Sequence, residues 1–423
     1  MTLLDLPKSC CSDRAEFISV EAARSRALQG VNPVTGEEVV GLRAARGRVN
    51  TSGIAAGHAL PPFDQSAMDG YAVRTGDFSD GSIALPVVAR QPAGPALGVS
   101  IGEQPAAVRI FTGAPIPPGF DAVVMQEHCE QHCGSVTVPR RPEAGQHIRV
   151  SGDDVPAGAL IVPANTLIDA RHVAILAAAG VPSINVRRRV RVAVLSTGDE
   201  LREPDQQLRP GEIHDSNRAM LLSLLERPAV ELVDLGRIPD DPASIAKAFE
   251  AAARDFDIVI SSGGVSVGEE DHIRTAVFAA GGEIAPLNAS IKPGKPISIG
   301  RLGTASLVGL PGNPVSALVT FLWFAQPIIV RRMGLRPEAP RATRAVAAFA
   351  EQRRPGRDEF VPVVVAGRDR EGRLLVERRQ RAGSARLSSL IDADGLARIP
   401  GELSAVRSGD TLDLYTFDPA FSL

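Results

Sequence analysis

The spacing of hydrophobic and polar positions changes several times along the 423-residue chain. Residues 15–30 have apolar positions at helical spacing, which predicts a short amphipathic helix. Residues 55–150 alternate short β-rich stretches with glycine and proline turns, which predicts a small β domain. Residues 165–186 predict a helix that ends at Gly180.

From residue 188 to 336, apolar runs alternate with helical stretches, a pattern typical of a parallel sheet covered by helices on both faces. The long apolar run at 315–330 contains polar residues and is shorter than the roughly 20 residues that a membrane span needs. It predicts a buried helix that stops near Pro327. Beyond residue 337, short alternating stretches predict a second β domain.

Composition and charge argue against several classes of function and location. The formal net charge of −3 argues against a general nucleic-acid binder. The first 17 residues lack the basic and apolar regions of a secretory signal, so we expect a soluble cytoplasmic protein without a membrane partner. The four cysteines are not expected to form disulfides in that compartment.

Four loops follow predicted strands of the α/β domain, and we expect them on one sheet edge, where ligands bind in such folds. Their sequences are STGDEL, IPDDP, SSGGVSVGEED and GLPGNPVS. SSGGVSVGEED is neither a Walker loop nor a dinucleotide fingerprint, and a structural turn remains as good an explanation as a ligand loop.

Acidic residues recur in these loops, and they would repel a phosphate unless a cation such as Mg²⁺ lay between them. A favourable interaction with the helix N-terminus is sufficient to explain Glu269 and Glu270. It explains Asp199, Glu200 and Asp240 less well, because these follow other strands.

The stretch IKPGKP places Lys292 and Lys295 on a loop stiffened by two prolines, a suitable site for an oxyanion. An exposed hairpin with solvated lysines is the alternative. Lysine is scarce in this arginine-rich chain, which favours the oxyanion site.

The stretch EHCEQHC brings His128, Cys129, His132 and Cys133 together and raises the hypothesis of a zinc site. It lies between two predicted strands and before Gly134, so a β-hairpin tip is the simpler prediction. A serine hydrolase is not indicated, because the chain has no G-x-S-x-G motif.

Together these loops resemble the molybdopterin molybdotransferase family. The similar motifs, in family order, are FDQSAMDGYAVR, RIFTGAPIPPGFDAVVMQE, SGDD, LSTGDEL, ISSGGVSVGEED, IKPGKP and GLPGNPVSA. The resemblance implies an elongated homodimer of α/β plus β class. Its four subdomains would be a helical linker at 15–55 and 151–187, a small β subdomain at 56–150, a central parallel-sheet α/β domain at 188–336 and a C-terminal β-barrel at 337–423.

The resemblance also implies the reaction: adenylyl-molybdopterin and molybdate give molybdenum cofactor and AMP, with Mg²⁺ as cofactor. Molybdoenzymes or their chaperones are the other partners it suggests. The implied catalytic residues are Asp69, Thr112, Asp154, Glu200, Lys292 and Lys295. The implied substrate-binding residues are Ser262, Gly263, Gly264, Pro311, Pro314, Arg357 and Ser384, and the implied metal ligands are Asp240 and Asp271.

Within that set, Lys292, Lys295, Arg357 and Ser384 would hold molybdate, and the Gly263–Gly264 loop would carry the nucleotide. Asp69 would reach from the small β subdomain toward the partner protomer. In the same segment, Asp64 is expected to be a turn or capping residue and Tyr71 to pack in the interior.

Two positions depart from the family pattern: Asn288 replaces a basic residue, and Pro362 replaces an arginine. Both changes remove positive charge from a site for anions. A non-catalytic carrier or scaffold that binds the pterin is therefore the alternative function.

Overall fold

The computed structural model describes residues 17–79, 81–96, 102–263, 272–378 and 385–417. The chain divides into two compact units. One contains the described parts of Met1–Glu38, Gly47–Val49 and Val186–Leu423, and the other contains those of Val39–Arg46 and Asn50–Asn185. The expected division into four subdomains is finer than this and stays a prediction.

The helices and strands up to residue 187 lie, in chain order, as follows: α1 (Val20–Ala27), β1 (Glu37–Gly41), α2 (Leu42–Ala45), β2 (Ile54–Ala55), β3 (Gln65–Ser66), β4 (Gly70–Val73), β5 (Ile83–Gln91), β6 (Ala107–Ile110), β7 (Ala122–Met125), β8 (Glu130–His132), β9 (Ser135–Val138), β10 (Ile148–Arg149), β11 (Leu160–Val162), α3 (Ala170–Ala178) and β12 (Ser183–Arg187).

Two of these helices test the predictions from spacing. The amphipathic helix expected at 15–30 is present as α1, which is capped by the Ser19 hydroxyl accepting from the Ala22 amide. The helix expected at 165–186 is confirmed only over α3. Its predicted end at Gly180 is confirmed, and beyond it Ile184 and Val186 alternate with exposed positions and form strand β12.

The small β domain is confirmed as a six-stranded sheet in the order β7-β4-β6-β5-β9-β8. Residues of β4 alternate between its two faces. Tyr71 and Val73 join one hydrophobic cluster, whereas Ala72 joins another with Val108 and Ile110. Both faces of this strand are therefore buried.

The α/β domain contains β13 (Val190–Thr197), β14 (Leu201–Arg202), β15 (Ile213–His214), α4 (Ser216–Leu225), β16 (Val230–Ile238), α5 (Pro242–Asp255), β17 (Ile258–Ser262), α6 (His272–Ala279), β18 (Glu283–Pro286), β19 (Ile291–Lys292), β20 (Ser298–Leu302), β21 (Ala305–Leu310), α7 (Pro314–Thr320), a π-helix (Phe321–Ala325) and α8 (Gln326–Arg332).

The central sheet has the order β16-β13-β17-β21-β20-β18. Its first four strands are parallel, as expected. The expectation of a wholly parallel sheet was wrong, because β20 and β18 are antiparallel. The short turn at Gly303, with a φ of 59°, joins β20 to β21, and a turn this short can connect only antiparallel strands.

Helices α5 and α6 cover one side of this sheet. Ile245 and Phe249 of α5 and Ile273 of α6 pack with Ala193 and Leu195 of β13. Helix α4 contacts β13 and β16, and α7 contacts β21. The strands lie in a core of aliphatic side chains that holds their carboxyl ends in fixed positions.

The apolar run at 315–330 continues as a helix through Pro327, so the predicted end there was wrong. A π-helical turn, Phe321–Ala325, immediately precedes α8, and this local change in helix type accommodates Pro327, which has no N–H to donate within the continuous helix. The span Pro314–Arg332 is long and apolar enough to cross a membrane, but 78% of its most apolar window is buried. That burial is typical of the core helix of a globular domain.

The C-terminal part contains β22 (Thr343–Ala347), β23 (Glu351–Gln352), β24 (Asp358–Arg368), β25 (Leu374–Glu377), α9 (Ser388–Ile391), β26 (Gly395–Ile399), β27 (Ala405–Val406) and β28 (Thr411–Thr416). The predicted barrel is confirmed, because β24, β25, β22, β28 and β26 pair in turn and β26 pairs with β24. Trp323 of the π-helix packs on the barrel residues Phe360 and Tyr415, with ring centroids 5.1 and 5.3 Å apart.

Candidate active site

The carboxyl ends of three central strands lie side by side. Ser262, the last residue of β17, pairs with Ser196 of β13 on one side and with Leu310 of β21 on the other. The loops after β13, β17 and β21 therefore start next to one another, as the sequence predicts. This is the sheet edge at which open α/β folds bind ligands.

Gly263 is required at the start of the SSGGVSVGEED loop. Its φ is 87°, and a Cβ placed there would lie 2.4 Å from the Thr197 carbonyl oxygen. Its amide donates to the Leu310 carbonyl at 3.2 Å. The glycine lets two neighbouring strand ends approach closely, which any larger side chain would prevent.

Asn217, near the start of α4, ties two of the loops together. Its side-chain amide donates to Ser262 Oγ at 2.9 Å and to the Gly312 carbonyl at 2.8 Å. Pro311 and Pro314 flank Gly312, and Pro314 begins α7. Asn217 thus fixes the predicted substrate-binding residues Ser262, Pro311 and Pro314 on one framework.

Several buried side-chain oxygens near this edge have no hydrogen-bond partner within the residues that the structure describes. They are Ser196 Oγ, Thr197 Oγ1, Ser261 Oγ, Asn217 Oδ1 and Asp240 Oδ1. Buried polar atoms almost always have a partner, so these oxygens are expected to bond to ordered water or to a ligand.

Glu200 and Asp199 extend from the loop after β13, and both are exposed. Arg237 lies 3.4 Å from Asp199, whose side chain is 81% exposed. Arg202 donates to the Asp199 carbonyl at 2.9 Å and pairs with Glu212 at 2.5 Å. The loop is anchored through its backbone, which leaves the Glu200 carboxylate at the surface.

A network of ion pairs centred on the buried Arg218 supports the same loop. Arg218 of α4 is 6% exposed and pairs with Asp215, Glu203 and Asp234. Burial opposes its charged form, but the hydrogen bonds to the three carboxylates raise the pKa of Arg218 above its ordinary value. The network connects the segment after Glu200 to α4 and β16.

Of the two predicted metal ligands, the structure describes only Asp240. Asp240 is half-buried at the end of β16, while its neighbour Asp241 caps α5 by accepting from the Ala243 and Ser244 amides. Asp271 lies outside the described residues. Among those that are described, no three acidic, histidine or cysteine side chains form a group suited to a metal ion.

The lysine loop runs from β19 to β20, and Pro293 and Pro296 each fix one backbone φ angle within it. Gly294 between them has a φ of 148°, and a Cβ there would lie 2.9 Å from Ile291. The loop therefore has little freedom to move either lysine.

Lys292 is held by the barrel. Strand β19 pairs with β24, which sets Lys292 opposite Glu359, and its Nζ lies 3.0 Å from Glu359 Oε1. Arg353 lies 3.4 Å from the other oxygen of this buried carboxylate. Glu359 neutralises part of the positive charge, and the Lys292 side chain remains 51% exposed.

Lys295 has a different environment. Its Nζ lies 2.9 Å from the ring centroid of Phe17, a cation–π contact. Partial burial lowers the pKa of Lys295, and the positive charge of Arg357 lowers it further. Arg357 is exposed and makes no ion pair within the described part of the chain. Lys295 and Arg357 thus form a cationic pair without a carboxylate.

Asn288 and Pro362, the two residues that depart from the family pattern, both lie in this unit. The Asn288 carbonyl accepts from the Ile18 amide at 2.9 Å, so its backbone holds the chain beside Phe17. Pro362 is buried in β24 opposite Leu396 of β26. Gly264 and Ser384, two predicted substrate-binding residues, lie outside the described residues.

In the other unit, two of the predicted catalytic residues, Asp69 and Thr112, are hydrogen-bonded to each other. The backbone amide and the hydroxyl of Thr112 both donate to Asp69 Oδ1 at 2.8 Å. These bonds hold the pKa of Asp69 below its ordinary value, and the charge of Arg109 adds a smaller effect. Asp69 is exposed and therefore available as a carboxylate.

Other residues of this unit have simpler places. Asp154 is exposed, and its amide donates to the Leu60 carbonyl. Asp64 accepts from the Ser151 amide at 2.8 Å, a contact between distant segments, so its expected turn or capping role stays a prediction. Tyr71 is 3% exposed, which confirms that it packs in the interior.

The EHCEQHC stretch forms a hairpin tip, as expected. Strands β8 and β9 pair on either side of Gly134, whose φ is 75°. Cys129 packs against the domain core, and burial raises the pKa of its thiol to about 11. A neutral, partly buried thiol is a poor zinc ligand in this state.

Sequence reasoning missed Asn217, Arg218, Glu359 and Phe17. For Asn217 a hint existed, because the polar run HDSN precedes an apolar helix. Glu359 and Phe17 approach the lysines only through pairing of distant segments, so spacing along the chain gives no indication of them.

Taken together, the fold and site define a multidomain α/β protein with a polar ligand-binding sheet edge and a stiff cationic loop. Three family models match it: the MoeA N-terminal region (domain I and II) over residues 18–180, a probable molybdopterin binding domain over 193–331, and the MoeA C-terminal region (domain IV) over 344–417.

Similar proteins and a similar solved structure support the same family. The chain is 36% identical over 404 residues to the molybdopterin molybdenumtransferase of Haemophilus influenzae, covering 95% of this chain and 99% of the relative. It is 41% identical over 307 residues to that of a Nostoc species, covering 70% of each chain. The crystal structure of the molybdopterin biosynthesis MoeA protein from Pyrococcus horikoshii has a TM-score of 0.80, at 27% identity, covering 95% of this chain and 100% of that one. The chain belongs to the molybdopterin molybdenumtransferase (MoeA) family, which confirms the resemblance drawn from its motifs.

Proposed function

We propose that this protein is a transferase that inserts molybdenum from molybdate into adenylyl-molybdopterin, giving molybdenum cofactor and AMP. The observation that carries the proposal is the proline-containing, closely packed loop bearing Lys292 and Lys295, with Arg357 beside Lys295. Cationic side chains on a rigid loop suit a dianionic oxyanion such as molybdate. Family membership supports the reaction class.

Each cation would have its own part in binding. Lys295 and Arg357 repel one another, so a bound oxyanion would stabilise both at once. Lys292 is already paired with Glu359, which orients it and leaves one face of the ammonium exposed. Ser384 is proposed to complete this set.

The nucleotide would lie along the central sheet edge. Ser262 and the Gly263–Gly264 loop would offer backbone and hydroxyl groups, while Asn217 keeps this loop and the Pro311–Pro314 loop together. The unpartnered oxygens at this edge would accept from the amino and hydroxyl groups of the substrate. Glu200 of this unit is proposed to have a catalytic role, and Asp154 of the other unit keeps the catalytic role that the family resemblance implies.

Mg²⁺ is part of the proposal, with Asp240 and Asp271 as its ligands. Asp240 fits this role, because its buried Oδ1 lacks a partner within the described residues and magnesium prefers carboxylate oxygens. When bound, the ion would supply positive charge at the phosphoanhydride as that bond breaks. Asp241 is occupied as a helix cap.

A homodimer in the cytoplasm is the proposed working form, with molybdoenzymes or their chaperones as recipients of the product. The role of Asp69 depends on the dimer. A monomer at assay concentrations, measured by sedimentation, would leave Asp69 and Thr112 without their proposed partner loops.

The alternative is a pterin-binding carrier that does not turn over. Two observations favour it: Pro362 removes a cation from β24, and Glu359 neutralises part of the charge of Lys292. Adenylyl-molybdopterin incubated with the protein, with or without molybdate, separates the two. Molybdate-dependent AMP release supports the transferase, whereas tight pterin binding without such release supports the carrier.

A further inference from the structure

A cleft of about 400 Å³ lies in the unit that contains the central sheet. Its walls are residues 26–35 after α1, the edge strands β18 and β20, and α8. Asp257 lines it just before β17, whereas Gly263 follows that strand. Six extended residues separate these positions by about 20 Å, so the cleft is distinct from the candidate active site. Its volume is in the range of small-molecule sites.

Hydrogen bonds hold the walls in place. The Arg332 guanidinium donates to the Asn32 carbonyl at 3.4 Å, and the Val34 amide donates to the Arg332 carbonyl at 2.9 Å. Arg188 Nε donates to the Thr35 carbonyl at 2.8 Å. The segment 31–35 is therefore fixed to the sheet, and the cleft is largely preformed.

The lining carries more positive than negative charge. Its ionisable residues are Arg26, Arg188, Arg301, Arg332, Asp257 and Glu283. Arg188 makes two hydrogen bonds of 2.8 Å to Asp257, and Arg301 lies 3.6 Å from Glu283. These four charges cancel in pairs.

Two arginines remain without a carboxylate of their own. Arg26 makes no side-chain hydrogen bond or ion pair with any residue that the structure describes. Arg332 bonds to carbonyl oxygens and to the Ser306 hydroxyl, and its Nε is buried without a partner in the same described set. The charge of Asp257 also acts on Arg332, so the arginine charges are partly compensated, but the lining as a whole carries two more positive than negative charges.

Uncharged polar residues also line the cleft, among them Gln29, Asn32 and Thr304, and one wall is aliphatic. It includes Val31, Pro33, Ala285, Leu287, Ile299 and Ile328. A ligand that fits must therefore combine a compact dianion with an apolar body. A phosphate monoester has this combination, since its group carries nearly two negative charges at neutral pH.

We propose that this cleft binds a small phosphate monoester with an apolar body, its phosphate facing Arg26 and Arg332 and its body lying on the aliphatic wall. The probe is 1-naphthyl phosphate, followed by its own fluorescence on titration with the full chain. Saturable binding is expected, with 1-naphthol, which lacks the charge, binding at least tenfold more weakly.

Matched variants locate the site. Arg26→Gln should weaken binding by about tenfold, because it removes one charge-assisted contact. Ala285→Glu should abolish binding, since it places a like charge against the phosphate. Arg370→Gln, an exposed arginine of the barrel, is the control and should bind as the unaltered chain does.

Lys295→Ala separates this cleft from the candidate active site and should leave naphthyl phosphate binding unchanged. Equal affinity of the Arg26→Gln and unaltered chains would overturn the proposal. Two other results would also overturn it. One is a Lys295→Ala variant that no longer binds while Arg26→Gln binds normally, and the other is the absence of saturable binding by the unaltered chain.

Discussion

Replacing Arg218 by methionine should destabilise the central α/β domain strongly. Methionine keeps much of the volume of arginine but removes the partner of three carboxylates. Asp215 is 4% exposed and would keep a buried charge with only the residue-218 backbone amide as donor. Breaking a buried ion pair in this way costs about 3–5 kcal/mol.

For Arg218→Met we expect a loss of free energy of unfolding at the lower end of that range. The Glu203 and Asp234 side chains are 41% and 39% exposed, so water can replace the guanidinium around them. Asp215 therefore dominates the loss, which we place at about 3 kcal/mol. The double variant Arg218→Met with Asp215→Asn removes the buried charge and should recover more than half of it.

Urea unfolding measures this loss. The fluorescence of Trp323, the single tryptophan of the chain, reports on its packing between the long helix and the barrel. The control is Arg191→Met, which breaks an exposed pair with Glu231 and should cost less than about 1 kcal/mol. The reasoning is refuted if Arg218→Met loses no more free energy of unfolding than this control, or if Asp215→Asn gives no recovery.

Three further predictions concern the site. Thr112→Val removes the hydroxyl donor but keeps the amide, so the pKa of Asp69 should rise toward its ordinary value, as measured by NMR titration. At pH values above the ordinary pKa of an aspartate, the depressed pKa of Asp69 stabilises the folded state, and this stabilisation is lost as the pH falls through the folded-state pKa. In Thr112→Val the stabilisation should be smaller, and its loss should be complete at a higher pH. Gly263→Ala forces a Cβ against the Thr197 carbonyl and should destabilise the fold by more than about 1 kcal/mol, as shown by urea unfolding. Asn217→Ala loses two hydrogen bonds between the loops and should raise the KM for adenylyl-molybdopterin, and an unchanged KM would contradict its positioning role.

Much of the fold follows from the sequence because buried parallel strands are continuous apolar runs bounded by turn residues. Strand direction does not follow from such runs, and so the antiparallel pair β18–β20 was not foreseen. The continuation of the helix through Pro327 was also missed, since a proline within a helical pattern usually ends the helix, and the π-helical turn before it has no sequence signal.

The candidate site, like the fold, could be predicted from the sequence only in part. The motifs located the loops around Gly263 and Lys295, because stiff and glycine-rich loops have local sequence patterns. The partners Phe17 and Glu359 lie 278 residues before Lys295 and 67 residues after Lys292 along the chain, counted from the sequence numbers. Their contacts depend on how the N-terminal segment and the barrel pack, which local patterns do not specify.

The central claim is that the lysine loop binds the molybdate used for insertion. The direct measurement is AMP release from adenylyl-molybdopterin, with and without molybdate, by the unaltered chain and two lysine variants. Lys295→Ala should lose molybdate-dependent release, while Lys247→Ala, an exposed lysine on α5, should keep it. A fully active Lys295→Ala variant, or release that does not depend on molybdate in the unaltered chain, would contradict the claim.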